Sequence, residues 1–218
     1  MTRRVSTILF QGDSITDASR DRSGRQHNDA AAMGRGYAYL AMCRLLADSP
    51  ARALAVYNRG ISGNRVPDLR ARWDADCVGL QPDVLSILIG VNDLWHKMEG
   101  RSSGTVAQYE SGYAELLEQT RRALPQTRLV LCEPFALRCG AVTERWFPEF
   151  DERRAVAARL AQRSGAAFVP FQDVFDRALR AGSTPEYWAA DGVHPTPQGH
   201  QLMADAWLAS VRPLLSEG

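Results

Sequence analysis

A serine, a histidine and an aspartate in this sequence have the types and spacing for nucleophilic catalysis. Ser14 stands in ILFQGDSIT, where an apolar run breaks into a Gly-Asp-Ser turn. A serine hydroxyl becomes a nucleophile when a base removes its proton, and histidine is the usual base. His194 is the candidate base, because the Asp191 carboxylate three residues earlier can orient its ring. The set predicts acyl transfer, although taken alone a strand-end serine is also explained as a helix cap.

Two further residues fit the need for donors that hold an oxyanion. A tetrahedral intermediate is stabilised by backbone N–H groups and side-chain amides, which donate without carrying charge. Gly63 lies in NRGISGN and Asn92 in GVND, each directly after an apolar stretch. Each also has a purely structural explanation, Gly63 as a turn glycine and Asn92 as a helix cap.

The elements that must position these residues follow from the apolar patterns. Continuous apolar runs, typical of strands covered on both faces, occur at 7–11, 54–58, 84–89, 129–132 and 167–169. Helical spacing occurs at 37–45, 106–120 and 151–163, and a last helix should begin at Thr196-Pro197, run to about 210 and bury Leu202, Ala206 and Trp207. The segments 100–104 and 138–150 are expected to be irregular. These alternating units predict an α/β fold, a doubly wound three-layer α/β/α sandwich whose catalytic turns share one edge of a parallel sheet.

Composition excludes several classes of protein. The 218 residues predict a single domain over 1–218, with 26 basic and 25 acidic side chains and a net charge of +1. This balance indicates no nucleic-acid partner. No membrane span or signal peptide is visible, so the expectation is a cytoplasmic protein with no membrane partner. The four cysteines show no CxxC pair and are expected to be reduced, mostly buried thiols.

The sequence lacks the motifs of several other enzyme classes. GDSIT lacks the second glycine of GxSxG, so the nucleophile elbow of α/β-hydrolases does not fit. Tyr39 stands where a dinucleotide fingerprint begun at Gly34 needs its third glycine, and there is no P-loop or HExxH. No cofactor or metal is predicted.

The motifs together resemble the SGNH hydrolases, also called GDSL esterases. All four blocks of that family occur in order, with Ser14 in GDSIT, Gly63 in GISGN, Asn92 in GVND, and Asp191 with His194 in DGVHP. The resemblance implies a flavodoxin-like five-stranded parallel sheet and ester hydrolysis by a Ser14-His194-Asp191 triad. It also implies an oxyanion hole made by the Ser14 and Gly63 backbone N–H groups and the Asn92 amide.

Within that family, NRGISGNRVPDLRARW and VHPTPQGH are similar to the intracellular acetylxylan esterase branch. A small acetylated carbohydrate is therefore the expected substrate. Trp95 and Trp188 flank the Asn92 and Asp191 blocks and are candidates to pack on a sugar ring. Asp13 and Arg65 are candidate substrate contacts. Asp17 is predicted either to contact hydroxyls or to hold the loops.

Other interpretations remain open at this stage. The polar stretch 19–28 near Ser14 disfavours a long-chain lipase, but a broad short-chain carboxylesterase or a phospholipid-type GDSL lipase uses the same chemistry. A carbohydrate-binding module without catalysis is the more distant alternative. Homo-oligomers are common in the family, although no stripe identifies an interface.

Overall fold

The computed structural model describes residues 6–24 and 26–216, and a five-stranded sheet lies at its centre. The predicted domain boundaries, 1 and 218, fall outside the described residues. The strands are β1 (Thr7–Gly12), β2 (Ala55–Asn58), β3 (Val84–Leu88), β4 (Arg128–Cys132) and β5 (Ala167–Val169). All neighbours are parallel in the order β2-β1-β3-β4-β5. This is the flavodoxin-like order, so the predicted fold class is confirmed.

Helices flank both faces of the sheet. They are α1 (Ser14–Asp17), α2 (Ala30–Met33), α3 (Tyr37–Asp48), α4 (Val66–Ala71), α5 (Trp73–Asp76), α6 (Val91–Met98), α7 (Val106–Ala123), α8 (Glu149–Ser164), α9 (Phe171–Arg180), α10 (Pro185–Trp188) and α11 (Pro197–Ser216), with 3-10 turns at Val78–Leu80 and Glu144–Trp146. Within residues 6–24 and 26–216, no helix has both the length and the apolar character to cross a membrane.

The core consists of two apolar clusters, one on each face of the sheet. Phe10 of β1 packs on one face with Trp207 of α11, their ring centroids 4.7 Å apart. The Trp207 indole also donates to Ser86 Oγ of β3 at 2.9 Å. The neighbouring strand residue, Leu9, belongs to the other cluster, with Tyr113 of α7. Because alternate strand residues are buried on opposite faces, the strands are largely apolar along their length.

The carboxyl-terminal helices differ from the sequence expectation. The last helix continues to Ser216 instead of ending near 210, and includes Pro213. Val211 and Leu215 are buried and extend the apolar face of Trp207, which explains the extra length. Leu202 and Ala206, predicted to be buried, are only half-buried at its edge.

Two helices nearer the middle of the chain also depart from prediction. α9 was not predicted, although Phe171, Val174 and Phe175 are buried at helical spacing. α8 begins at Glu149, so the irregular segment after Arg138 is shorter than expected. The loop 100–104 is irregular as predicted.

The cysteines match their prediction. Cys77, Cys132 and Cys139 are buried, Cys43 is exposed, and all four are free thiols. Burial raises the pKa of the Cys132 thiol to about 12, so this group stays protonated.

Candidate active site

Four turns meet at the carboxyl edge of the sheet. The turn after β1 contacts the turn before α11 through Ser14 and His194. The turn after β2 is bound to the first turn by Ile61 N–H donating to the Gly12 carbonyl at 3.1 Å. The turn after β3 reaches the second through Asn92, whose Nδ2 donates to the Asn64 carbonyl at 3.2 Å. The predicted convergence is confirmed, and it lies at the switch point of strand order around β1, where α/β folds bind ligands.

A continuous hydrogen-bonded chain joins Ser14, His194 and Asp191. Ser14 Oγ lies 2.9 Å from His194 Nε2, and His194 Nδ1 lies 2.6 Å from Asp191 Oδ2. Asp191 Oδ1 accepts the backbone N–H groups of Val193 and His194 at 2.9 and 2.7 Å. Partial burial alone would raise the pKa of Asp191. The hydrogen bonds from His194 and Val193 have the larger combined effect and hold this pKa below its usual value. An ionised Asp191 favours the tautomer in which Nδ1 carries the proton and Nε2 accepts from Ser14.

The position of Ser14 depends on the two residues before it. A Cβ on Gly12 would lie 2.4 Å from both the Leu88 carbonyl oxygen and Thr16 Oγ1, so β1 and β3 approach this closely only around a glycine. Asp13 caps α1, its Oδ1 accepting the Ile15 N–H at 3.0 Å. Burial raises the pKa of Asp13 to about 7. Asp13 is 1% exposed, and its side chain supports the turn from inside.

The two candidate oxyanion donors, Gly63 and Asn92, lie in neighbouring turns that are joined by a hydrogen bond. Gly63 has φ +83°, a conformation that favours glycine, and a Cβ there would meet no atom within 4 Å. Asn92 is the second residue of α6, and Gly90 is the N-cap of that helix, so the capping explanation for Asn92 does not apply. One amide hydrogen of Asn92 binds the Asn64 carbonyl. An amide group has two donors, so the other can serve a ligand.

Asp17 holds the first two turns together. This residue ends α1 and is 3% exposed. Its Oδ2 accepts the Ser62 N–H at 2.9 Å and pairs with the Arg22 guanidinium at 2.6 Å. Of the two roles predicted for Asp17, the structure shows the one that holds loops.

A groove of about 590 Å³ opens at Ser14 and His194. Its walls combine apolar surface, from residues such as Ile15 and Pro195, with polar side chains, which include Ser19, Arg22, Arg35, Ser62 and His200. Trp95 lies beside the groove residue His194, with ring centroids 5.8 Å apart, and also contacts Trp146 at 5.7 Å. The half-buried Trp95 therefore adjoins the site.

Two other residues predicted to contact the substrate, Arg65 and Trp188, make their hydrogen bonds and ion pairs away from the groove. The Arg65 guanidinium pairs with Asp68 at 3.0 Å and lines a separate pocket of about 340 Å³. Trp188 donates its indole N–H to Ser183 Oγ at 2.7 Å, and its ring contacts Phe175 and Tyr187. In the structure, the Arg65 side chain therefore stabilises the start of α4, and the Trp188 side chain stabilises α10.

Two further polar residues support the turns around the site, and of these only Asp93 was not singled out from the sequence. His200 Nδ1 accepts the Tyr37 N–H at 3.1 Å, so this ring caps the start of α3. Asp93 Oδ1 accepts the Val66 N–H at 3.3 Å and links the Asn92 turn to α4. Burial raises the pKa of Asp93 to about 6. The position of Asp93 directly after Asn92 in GVND was the available signal. Within residues 6–24 and 26–216, no group of three or more His, Cys, Asp or Glu side chains is placed to hold a metal ion.

Comparison with known proteins decides the family. A family model described as the GDSL-like lipase/acylhydrolase family matches residues 10–202. The chain belongs to this family. The acetylxylan esterase of Geobacillus stearothermophilus is 32% identical to it over 94% of this chain and 93% of that protein. Membership and this relative make the protein a carboxylic ester hydrolase, as predicted.

Solved GDSL-like structures have the same architecture. The crystal structure of the Geobacillus acetylxylan esterase has a TM-score of 0.86 at 32% identity, covering 97% of this chain and 96% of that one. A protein from Parabacteroides merdae described as a GDSL-like lipase has a TM-score of 0.93 at 47% identity, covering 97% and 98%. Catalytic mutants of the Geobacillus esterase replace a serine or a histidine by alanine.

Proposed function

We propose that this protein is a serine esterase that removes acetyl groups from carbohydrate esters such as acetylated xylo-oligosaccharides. The observation that carries the proposal is the Ser14–His194–Asp191 hydrogen-bonded chain, which lies in a groove whose walls carry hydroxyl and guanidinium groups. The Geobacillus relative, described as an acetylxylan esterase and an acetyl-xylooligosaccharide esterase, supports the substrate class.

Acylation begins at the Ser14 hydroxyl. His194 Nε2 takes its proton as Ser14 Oγ attacks the acetyl carbonyl carbon, and Asp191 stabilises the imidazolium that forms. The carbonyl oxygen becomes an oxyanion held by the Ser14 and Gly63 backbone N–H groups and by the Asn92 amide. When the intermediate collapses, the C–O bond to the sugar breaks and His194 returns the proton to the departing sugar hydroxyl.

Deacylation repeats these steps with water. His194 takes a proton from water, the water oxygen attacks the acetyl-Ser14 carbonyl, and the same three donors hold the second oxyanion. Collapse releases acetic acid and returns the proton from His194 to Ser14 Oγ.

The walls of the groove support a small acyl group on a hydrophilic alcohol. Ser19, Ser62 and Arg35 present hydroxyl and guanidinium groups near Ser14, which suit sugar hydroxyls better than a long alkyl chain. Trp95, beside His194, offers an aromatic ring at the edge of the site.

Acetate release from acetylated xylo-oligosaccharides tests this function, together with turnover of nitrophenyl esters of increasing acyl length. We expect acetyl turnover to exceed octanoyl turnover, and Ser14→Ala to lose both. Ser103→Ala, at an exposed serine in the loop before α7, is the matched control and should retain activity. A Ser14→Ala protein with wild-type turnover, or an enzyme that prefers octanoyl esters, would overturn the proposal.

A further inference from the structure

We propose that Asp17 is a positioning residue that fixes the Gly63 N–H against the reacting ester. This proposal rests on the proposed function, because it assumes that Gly63 donates to the oxyanion. Asp17 lies three residues after Ser14, at the end of α1, and its side chain is almost wholly buried. Asp17 lies at the wall of the groove but is only 3% exposed, and its carboxylate oxygens bind the loop, so the proposed effect on catalysis is exerted through the loop that it holds.

The contacts of Asp17 lie immediately beside Gly63. Oδ2 accepts the N–H of Ser62, the preceding residue, at 2.9 Å. The same oxygen accepts from Arg22 Nε and Nη2 at 2.9 and 2.6 Å, which orients the carboxylate. Oδ1 accepts the Arg20 N–H at 3.2 Å, and Arg20 Nε in turn donates to the Gly60 carbonyl at 2.7 Å. Asp17 and Arg20 therefore hold the loop at Ser62 and Gly60, in addition to the bond from the Ile61 N–H to the Gly12 carbonyl.

Gly63 depends on these bonds because side-chain packing does not hold it. It has no side chain, and the space where a Cβ would stand is open to 4 Å. Its two neighbours are held from opposite sides, Ser62 by Asp17 and Asn64 by the Asn92 amide. The Asp17 bond therefore connects the position of Gly63 to the turn that carries Ser14, whose Oγ attacks the carbonyl carbon of the ester.

This arrangement predicts a specific kinetic defect when the bond is lost. A donor stabilises an oxyanion when it lies about 2.7–3.1 Å from the position that the oxyanion occupies, and removing one donor lowers kcat about 10²–10³-fold. Displacing the donor costs less than removing it, so we expect Asp17→Ala to lower kcat about 10- to 100-fold. KM should change little, because the oxyanion forms only after the substrate has bound.

Two conservative variants separate loop position from charge. Asp17→Asn keeps an acceptor for the Ser62 N–H but removes the charge opposite Arg22. Asp17→Glu keeps the charge but carries the carboxylate one methylene too far. A positioning role predicts that Asn recovers most of kcat and that Glu resembles Ala. A role for the negative charge predicts the reverse order, which would overturn the proposal.

The measurements are kcat and KM for an acetyl ester, normalised to active sites titrated with a phosphonate that labels serine, and the affinity for phenylboronic acid. A boronate forms a tetrahedral adduct with serine, so its affinity should fall by the same factor as kcat. Melting temperatures verify folding, and Asp205→Ala, at an exposed aspartate of α11, is the matched control.

The outcomes distinguish this proposal from the proposed function. Asp17→Ala with kcat within about threefold of wild type per active site, or with a lower kcat but unchanged boronate affinity, would overturn the proposal. If Asp17→Ala does not fold, the order of the Asn and Glu variants decides. If Ser14→Ala retains activity, the proposed function itself fails; if Ser14 is essential and Asp17 is not, only the positioning role fails.

Discussion

Mild acid is expected to destabilise the fold through His200. The Nδ1 atom of this half-buried ring accepts the Tyr37 N–H at the start of α3, which requires a neutral ring. Burial, together with a smaller effect of the nearby His194, lowers the pKa of His200 from its ordinary value of 6.5 to about 4. The change that isolates this group is His200→Asn, because an asparagine oxygen can replace Nδ1 as the acceptor and does not titrate.

The pKa difference sets the size and direction of the effect. An unfolded chain binds the proton near pH 6.5 and the folded chain only near pH 4, so the stabilising contribution of neutral His200 is complete above pH 6.5. It declines as the pH falls through this window and is lost below about pH 4. At about 1.4 kcal/mol per pKa unit, the loss amounts to about 3 kcal/mol at most.

Urea unfolding at several pH values between 4 and 7 measures this effect. The free energy of unfolding of the wild type, relative to that of His200→Asn, should fall by about 3 kcal/mol from pH 7 to pH 4. Asp13 and Asp93, whose pKa values burial raises to about 7 and about 6, also titrate here. Both proteins contain these groups, so their contributions cancel in the difference. A difference that is flat across this range would refute the reasoning.

Three further substitutions test other parts of the structure. Asp191→Asn places an amide against His194 Nδ1 and favours the wrong tautomer of the ring, so kcat should fall about 10⁴-fold, as in serine proteases. Steady-state kinetics with an acetyl ester measure this, and a decrease in kcat of less than about tenfold would contradict it. Asn92→Ala should lower kcat about 10²–10³-fold with little change in KM, and an unchanged kcat would remove Asn92 from the oxyanion hole. Trp207→Ala leaves a cavity beside Phe10 and removes the hydrogen bond to Ser86. Urea unfolding should therefore show a free energy of unfolding lower by about 3–5 kcal/mol, and a decrease below about 1 kcal/mol would contradict that packing.

The strands and the meeting of the four turns were predictable because they follow from local pattern and topology. Strands buried on both faces must be continuously apolar, and the carboxyl ends of parallel strands share one edge. Helix ends were less predictable. α11 runs past 210 because Val211 and Leu215 are buried by neighbouring elements, a tertiary effect that outweighs the local cost of Pro213.

The residues of the Ser14–His194–Asp191 chain were easier to predict than the residues that support them. Ser14, His194 and Asp191 are recognised by type and spacing, and the structure places them in hydrogen-bond contact. Sequence spacing does not give the direction of a side chain, so it could not tell that Asp13 faces inward or that Trp188 bonds to Ser183. Such assignments need the packing of distant elements.

The most direct test of the central claim is detection of the acetyl-enzyme. Wild-type protein mixed with an acetyl ester and quenched in acid during turnover should carry one acetyl group on the peptide that contains Ser14, located by fragmentation mass spectrometry. Ser14→Ala should carry none and should release no acetate above the uncatalysed rate. An acetyl group on a different residue, or wild-type acetate release by Ser14→Ala, would contradict the account.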